Sequence, residues 1–137
     1  MSLDPRFQVT KQIEGRMLIN GELRSSGNDS WLKSFCPATQ EYLARVPNAS
    51  AEEMQEAVAA ATEAAKSWRN TSQKTRVELI EAIAAALEAR ADEFAYIESL
   101  DTGNTHGPMK NDVHKAVERM RFYCGLAYEI KGMTVPS

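Results

Sequence analysis

The sequence predicts a mixed α/β chain in which β-hairpins come first and three long α-helices follow. Two observations carry this prediction. Residues 1–49 contain short runs suited to β-strands, separated by turn-forming Asn, Gly, Ser and Pro. From residue 50 onward, apolar residues recur at intervals of three and four, which is the period of a helix with one buried face. The 137 residues are about one domain's worth.

The first hairpin is predicted around the dipeptide Asn20-Gly21. Strand-like runs at residues 16–19 and 22–24 flank it. Asn followed by Gly readily supplies the two consecutive positive φ angles that a tight hairpin turn needs. Two further strands are predicted at residues 31–35 and 41–46.

A capping box predicts where the first helix begins. The Ser50 hydroxyl and the Glu53 carboxylate are spaced so that each satisfies a free backbone N–H of the first turn. A single apolar stripe then follows at spacings of four and three. Its members are Met54, Val58, Ala61, Ala65 and Trp68.

A second helix is predicted next. It should begin near Thr71 or Ser72, run to Asp101 and end at Gly103, which supplies the left-handed residue after a helix. Such a helix would be about 45 Å long at about 1.5 Å per residue. Its apolar stripe is Val77, Ile80, Ala84, Leu87, Ala91 and Phe94.

The third helix is predicted to follow a glycine-bracketed connector. Pro108 fits its first position, and Gly132 is expected to stop it. Its apolar stripe is Val113, Ala116, Met120, Cys124, Ala127 and Ile130.

Composition and charge exclude several function classes. The net charge is −3 and no sustained basic stretch occurs, so no nucleic-acid partner is expected. No apolar run approaches the roughly 18 residues of a membrane-spanning helix, and the first residues lack the features of a secretory signal. Two cysteines do not make a disulfide framework. We therefore expect a cytoplasmic protein without a membrane partner, and interpret residues 1–12 as an added tag or flexible arm.

Cysteine and histidine are the residues most able to carry chemistry in this chain. Cys36 lies beside Pro37 without a neighbouring basic group to activate it, and Cys124 lies on an apolar helix stripe. His106, in a solvated turn, and His114 lack a spacing that recurs in metal sites. None of the four is assigned to catalysis. Five larger side chains are interpreted as core positions: Met54, Trp68, Phe94, Phe122 and Tyr123.

Short motifs stand at the joints between the predicted elements. Residues 18–23 read L-I-N-G-E-L, residues 36–41 read C-P-A-T-Q-E, and the first helix contains A-V-x-A-A-x-x-A-x-x-x-W. Residues 100–104 read L-D-T-G-N and residues 120–125 read M-R-F-Y-C-G. In this order and spacing the motifs resemble those of the NAD(P)-dependent aldehyde dehydrogenase superfamily, over about residues 13–136. Cys36, Gln40 and Asn104 depart from the usual Asn, Gly and Lys, which bears on the subfamily.

The resemblance implies a fold and an activity for the full-length protein. Residues 13–137 would form the N-terminal segment of a Rossmann-like α/β cofactor domain that also contributes to oligomerisation. The full-length enzyme would oxidise an aldehyde with NAD or NADP through a cysteine thiohemiacetal, with a glutamate base. The family's Pro-Trp-Asn, Glu-Leu-Gly-Gly-Lys and Gly-Gln-x-Cys motifs do not occur in these residues. We therefore expect a homo-oligomer whose catalytic residues lie elsewhere, and a segment that is inactive and binds no cofactor alone.

Two sites within the segment are also implied by the resemblance. Asp101, with the backbone carbonyls of Ser34 and Phe35, matches ligands of a structural monovalent cation in many members. The alternative is that Asp101 only ends its helix. Asn111 and Lys115 would border the substrate entrance, and here the alternative is a solvated charged face.

A second function class remains open at this point. A free-standing helical protein-interaction module could share the same pattern of hairpins and apolar stripes. The coding sequence beyond residue 137 discriminates between the two hypotheses, because an enzyme of this family requires the Pro-Trp-Asn, Glu-Leu-Gly-Gly-Lys and Gly-Gln-x-Cys motifs. The sequence does not specify the aldehyde or the choice between NAD and NADP.

Overall fold

The fold was obtained as a computed structural model, which describes residues 12–130 and 132. In this part of the chain, short strands come first and helices follow, as predicted. The strands are β1 (Ile13–Glu14), β2 (Met17–Ile19), β3 (Glu22–Arg24), β4 (Trp31–Phe35) and β5 (Tyr42–Pro47). The helices are α1 (Ala51–Trp68), α2 (Gln73–Ala89), α3 (Ala91–Thr102) and α4 (His106–Ala127).

Strands β2 and β3 form the predicted hairpin. Ile19 pairs with Glu22 across a two-residue turn. Asn20 and Gly21 have φ angles of 52° and 82°, the pair of positive values that this turn type requires. The register of the hairpin is therefore set by its turn dipeptide.

A second sheet has the order β1-β5-β4. Strands β4 and β5 are the predicted antiparallel pair, with an irregularity between Ser34 and Phe35. Strand β1 pairs in parallel with β5 and was not predicted. Two residues are too few to show an alternating pattern in the sequence.

Helix α1 begins at the predicted capping box. The Ser50 N–H donates to the Glu53 carboxylate over 2.8 Å, and the Glu53 N–H donates to the Ser50 hydroxyl over 3.2 Å. The Ser26 hydroxyl also donates to Glu53, over 2.7 Å, and Arg24 pairs with Glu56. No residue of α1 is buried, so polar groups make a large part of its attachment to the strands.

The prediction of three helices is wrong, because the chain bends at Arg90 and divides the second helix in two. This residue has φ −113° and ψ 20°, outside helical values, and its N–H donates to the Leu87 carbonyl three residues back. The part of the chain that the structure describes thus has four helices rather than three. After the bend, α3 buries Ala91 and Ala95.

Helix α4 also differs from the prediction at both ends. It begins at His106, so Pro108 is its third residue rather than its first, and His106 is helical rather than in a turn. The first-turn N–H groups of a helix have no partner within it, so proline is tolerated there. The helix ends at Ala127, short of Gly132, after Gly125 weakens its last turn.

Ion pairs tie α4 to both preceding helices. Arg121 pairs with Glu88 of α2 over 2.6 Å, and Lys110 pairs with Asp92 of α3 over 2.7 Å. The interface between these helices also buries Ala84, Met109 and Val117.

A small core joins the larger sheet to α3. Cys36 and Leu43 from the sheet end pack with Leu100, and Ala44 and Tyr96 lie against them. The five large side chains that were predicted as core are instead exposed, by 43% or more. Alanine-rich faces within 119 contiguous residues cannot cover them, which is the physical reason for this error.

Some predictions fall on the ends of the chain. The tag or arm at residues 1–12 lies outside the described residues apart from Gln12, and so do residues 133–137. Among the described residues, no helix is long and apolar enough to cross a membrane.

Candidate functional site

The first candidate site lies where β4 meets the end of α3. The Ser34 hydroxyl donates a hydrogen bond of 2.5 Å to an oxygen of the Asp101 carboxylate, although 67 residues separate them. Phe35 follows Ser34 at the irregularity in the β4–β5 ladder. Its ring packs edge-on against Tyr42 at a centroid distance of 5.9 Å. The structure therefore places Ser34 against Asp101, with Phe35 as the next residue along β4.

Local sequence explains how this junction is built. Leu100 is fully buried in the small core, which anchors the last turn of α3 against the sheet. Asp101 is the next residue and lies at the edge of that core. Gly103 ends the helix with φ 77°, and Pro37 of the β4–β5 loop packs beside it.

The electrostatics of the junction favour a cation. The carbonyl groups at the C-terminal end of a helix carry partial negative charge. The last turn of α3 holds no basic residue, and no ion pair to Asp101 occurs in residues 12–130. The described residues contain no group of three His, Cys, Asp or Glu side chains placed to hold a metal. A site here would consist of one carboxylate with neutral oxygens, a set that suits a hard cation.

The second candidate site is a solvent-exposed face of α4. Asn111 and Lys115 lie one helical turn apart on this face, and Lys115 pairs with Asp112 over 3.3 Å. The face is turned away from the buried Val117 and joins Phe122, which is 62% exposed. Sequence reasoning placed Phe122 in the core. Its spacing of seven residues from Lys115, two helical turns, was the available signal.

The two candidate sites are separate. Asn111 and Lys115 share no hydrogen bond or ion pair with Ser34 or Asp101 in the described part of the chain.

Neither cysteine is placed for nucleophilic chemistry. Cys36 is 0% exposed within the small core, and Cys124 is 7% exposed on α4. Reactive cysteines are accessible and sit beside groups that favour the thiolate. The structure thus agrees with the interpretation of both cysteines as buried apolar residues.

An apolar groove of about 380 Å³ runs between α2 and α4. Cys124 lies in its floor, and Arg76 and Arg119 stand among its lining residues. The other lining residues are Val77, Ile80, Ala116, Met120, Tyr123 and Ala127. The groove joins the predicted stripes of these two helices, so the stripes face each other across a gap.

Comparisons with known proteins agree on one family. The family model for the aldehyde dehydrogenase family matches residues 23–137. A probable methylmalonate-semialdehyde/malonate-semialdehyde dehydrogenase (acylating, mitochondrial) of Dictyostelium discoideum is 33% identical over 120 residues. That match covers 88% of this chain and 23% of the relative.

Solved structures show the same relationship. An aldehyde dehydrogenase of Bacillus cereus in complex with NAD+ superposes with a TM-score of 0.85 and 32% identity, covering 99% of this chain and 28% of that one. An NADP-dependent glyceraldehyde-3-phosphate dehydrogenase of Bacillus halodurans superposes with a TM-score of 0.89 and 25% identity, covering 90% and 26%.

The matches carry two consequences. The chain spans about a quarter of the length of these relatives, at 23%, 28% and 26%. The family match does not favour the alternative of a free-standing interaction module. Because the family model matches residues 23–137, which is most of the sequence, the chain belongs to the aldehyde dehydrogenase family.

Proposed function

We propose that this chain is the N-terminal segment of an enzyme that oxidises an aldehyde to a carboxylic acid with NAD or NADP. The match of the family model to residues 23–137 carries the proposal. A cysteine thiolate of the full-length enzyme attacks the carbonyl carbon to form a thiohemiacetal, and a glutamate activates the water that releases the acid. The nicotinamide cofactor supplies the hydride acceptor when it is bound.

The role of the 137 residues is to build part of the scaffold. The hairpin, the small sheet and the four helices hold no side chain that we assign to catalysis. Burial of Cys36 and Cys124 supports this view, because a buried thiol cannot reach a substrate carbonyl. The scaffold would belong to a cytoplasmic homo-oligomer.

An activity assay tests whether these 137 residues lack the catalytic side chains of the enzyme. The isolated chain should form no NADH or NADPH with a panel of aliphatic and aromatic aldehydes, whereas the protein from the whole reading frame should form one of them. Chromatography should then identify a free acid, as distinct from the acylated product that the name of the Dictyostelium relative indicates for that protein. Turnover by the isolated chain that disappears in Cys36→Ala or Cys124→Ala would overturn the assignment.

A titration tests whether the isolated chain holds the cofactor. Calorimetry with NAD+ and with NADP+ up to millimolar concentration should show no saturable heat. A saturable site in the micromolar range would place part of the nucleotide pocket within these residues.

We also propose that Asp101 and the carbonyls of Ser34 and Phe35 contribute to a monovalent cation site in the full-length enzyme. The 2.5 Å contact between Ser34 and Asp101 and the lack of a basic partner support this proposal. Replacing choline by potassium or sodium should raise the melting temperature of the enzyme. Asp101→Asn should abolish that difference, whereas Asp112→Asn on α4 should retain it. An equal potassium effect in the Asp101→Asn variant would exclude the site.

The exposed face of α4 is proposed to border the substrate entrance. Its polar residues Asn111 and Lys115 and its exposed ring of Phe122 would contact part of an entering aldehyde. In the full-length enzyme, Lys115→Met should change KM among aldehydes of different polarity while kcat changes little. Lys74→Met on α2 is the matched control. Equal KM values for wild type and Lys115→Met across the panel would show that this face of α4 does not border the substrate entrance.

A further inference from the structure

The tip of the β2–β3 hairpin carries an exposed Asn-Gly pair. Asn20 and Gly21 are both exposed, and no hydrogen bond to the Asn20 side chain occurs in the described residues. A side chain added at Gly21 would meet nothing within 4 Å. In the described residues, therefore, no hydrogen bond restrains the side-chain amide of Asn20, and the Cβ side of Gly21 faces open space.

We propose that Asn20 is a site of spontaneous deamidation and isoaspartate formation. The backbone nitrogen of Gly21 attacks the side-chain carbonyl carbon of Asn20, and a new N–C bond forms. The bond from that carbon to the amide nitrogen breaks, and ammonia leaves with the proton from the Gly21 nitrogen. Water then opens the five-membered imide at one carbonyl to give aspartate or at the other to give isoaspartate. No oxidant, reductant or cofactor is needed.

The other asparagines lack this combination of features. Asn20 is the one of six asparagines that precedes a glycine, whose missing Cβ leaves the attacking nitrogen unhindered. The side chains of Asn28, Asn48 and Asn70 each make a hydrogen bond. Asn104 and Asn111 precede Thr and Asp, whose side chains crowd the nitrogen.

The folded hairpin controls the rate of this reaction. With φ 52°, Asn20 is held in the left-handed region by the pairing of Ile19 with Glu22. The turn also fixes the ψ angle of Asn20, which sets the distance from the Gly21 nitrogen to the side-chain carbon, so we infer that cyclisation requires rotation of the backbone out of the turn. Opening of the hairpin therefore precedes the chemistry, and loop tips are where such openings concentrate.

The two products have different consequences for the fold. Aspartate before glycine supports the same turn, so β2 and β3 stay paired. Isoaspartate inserts an extra carbon into the main chain, which a two-residue turn cannot accommodate in the same register. The loss of pairing would expose Ile19, which is 6% exposed in the native hairpin.

Peptide mapping by mass spectrometry of protein aged at mildly alkaline pH tests the proposal. The peptide containing Asn20 should lose its amide before the peptides of the other five asparagines. An isoaspartyl carboxyl methyltransferase with labelled methyl donor should modify aged protein at that peptide. The Asn20→Gln variant should lose both signals, and Asn20→Asp should keep the hairpin in hydrogen-exchange measurements.

A separate measurement tests whether opening of the hairpin limits the rate of amide loss at Asn20. Mild denaturant that opens the hairpin should accelerate amide loss at Asn20 relative to native buffer, and Gly21→Ala should slow it under denaturing conditions, where the folded turn no longer matters. An intact amide at Asn20 after another asparagine has reacted would overturn the proposal. Equal labelling of aged wild type and Asn20→Gln would do the same.

Discussion

The Glu53 carboxylate joins α1 to the turn that follows β3. It accepts hydrogen bonds from the Ser50 N–H, the Gly27 N–H and the Ser26 hydroxyl, and Arg24 lies nearby. These donors favour the charged form and lower the pKa of Glu53 from an ordinary 4.5 to about 2. One charged group thus holds the start of a helix that buries no residue of its own.

The lowered pKa predicts how stability depends on pH. A carboxylate whose folded pKa is depressed stabilises the fold above its unfolded pKa, and that contribution is lost as the pH falls through the folded value. Here the window runs from 4.5 down to about 2. Glu53→Gln should lower the melting temperature at pH 7 and reduce its fall in this window. Thermal melts across pH check this, with Glu63→Gln as control. Parallel wild-type and Glu53→Gln curves would contradict it.

Leu43 is the central aliphatic residue of the small core. It is 1% exposed and packs with Cys36 and Leu100. Leu43→Ala should lower the free energy of unfolding by about 3 kcal/mol, because it leaves a cavity in a core that is too small to repack. Leu23→Ala removes an equal side chain that is 65% exposed and should cost no more than about 0.5 kcal/mol. Denaturant titration measures both, and equal losses would show that the core lies elsewhere.

Residue patterns predicted only part of the candidate sites. Asp101 could be identified because it stands in a local motif beside the glycine that ends its helix. Ser34 was grouped with Asp101 only through the family resemblance, because no local pattern encodes a contact that spans 67 residues. Phe122 was misplaced because an aromatic residue at helical spacing indicates burial only when another element is present to cover it.

At the scale of elements, a glycine just after a helix and a glycine within the last turn of another helix respond differently to the same substitution. Gly103 has φ 77°, so Gly103→Ala should destabilise the end of α3 by about 1 kcal/mol through backbone strain alone. The added methyl group would meet Pro37 at an ordinary 3.5 Å. Gly125→Ala lies in the last turn of α4 with open space around it, and should stabilise by up to about 1 kcal/mol. Thermal melts that move in the same direction would contradict this account.

The boundaries of elements were predictable where a local signal marks them. The hairpin turn, the capping box at Ser50 and the left-handed Gly103 each depend on a few adjacent residues, and all three are confirmed. No Gly or Pro lies near Arg90 in the sequence, so no local signal predicts the bend. Its cause is tertiary, because α2 and α3 both pack on α4 and α3 buries Ala91 and Ala95 there. Single-sequence patterns do not contain that geometry.

At the scale of the whole molecule, several apolar helix faces are not covered by any other part of the described chain. Val58 on α1 is 63% exposed, and Ile83 on α2 is 54% exposed. The groove between α2 and α4 adds a further apolar surface. Relatives about four times longer possess additional chain for such faces to pack against, as the 23% and 28% coverages indicate. The sequence therefore predicted the apolar stripes of the helices, but it did not predict which residues of those stripes are buried.

The last prediction is that the isolated chain associates with itself or dissolves poorly. Contiguous apolar patches beyond a few hundred Å² are rare on stable monomers, because their contact with water favours association. Light scattering coupled to size exclusion should give a mass above the 15.2 kDa of one chain. The double variant Val58→Lys and Ile83→Lys should shift the mass toward one chain at little cost in melting temperature, because neither side chain is buried. Glu78→Gln with Glu63→Gln makes the net charge more positive by the same two units without removing an apolar side chain, and is the control. A monodisperse wild-type monomer with a sharp melt would show that these faces need no partner.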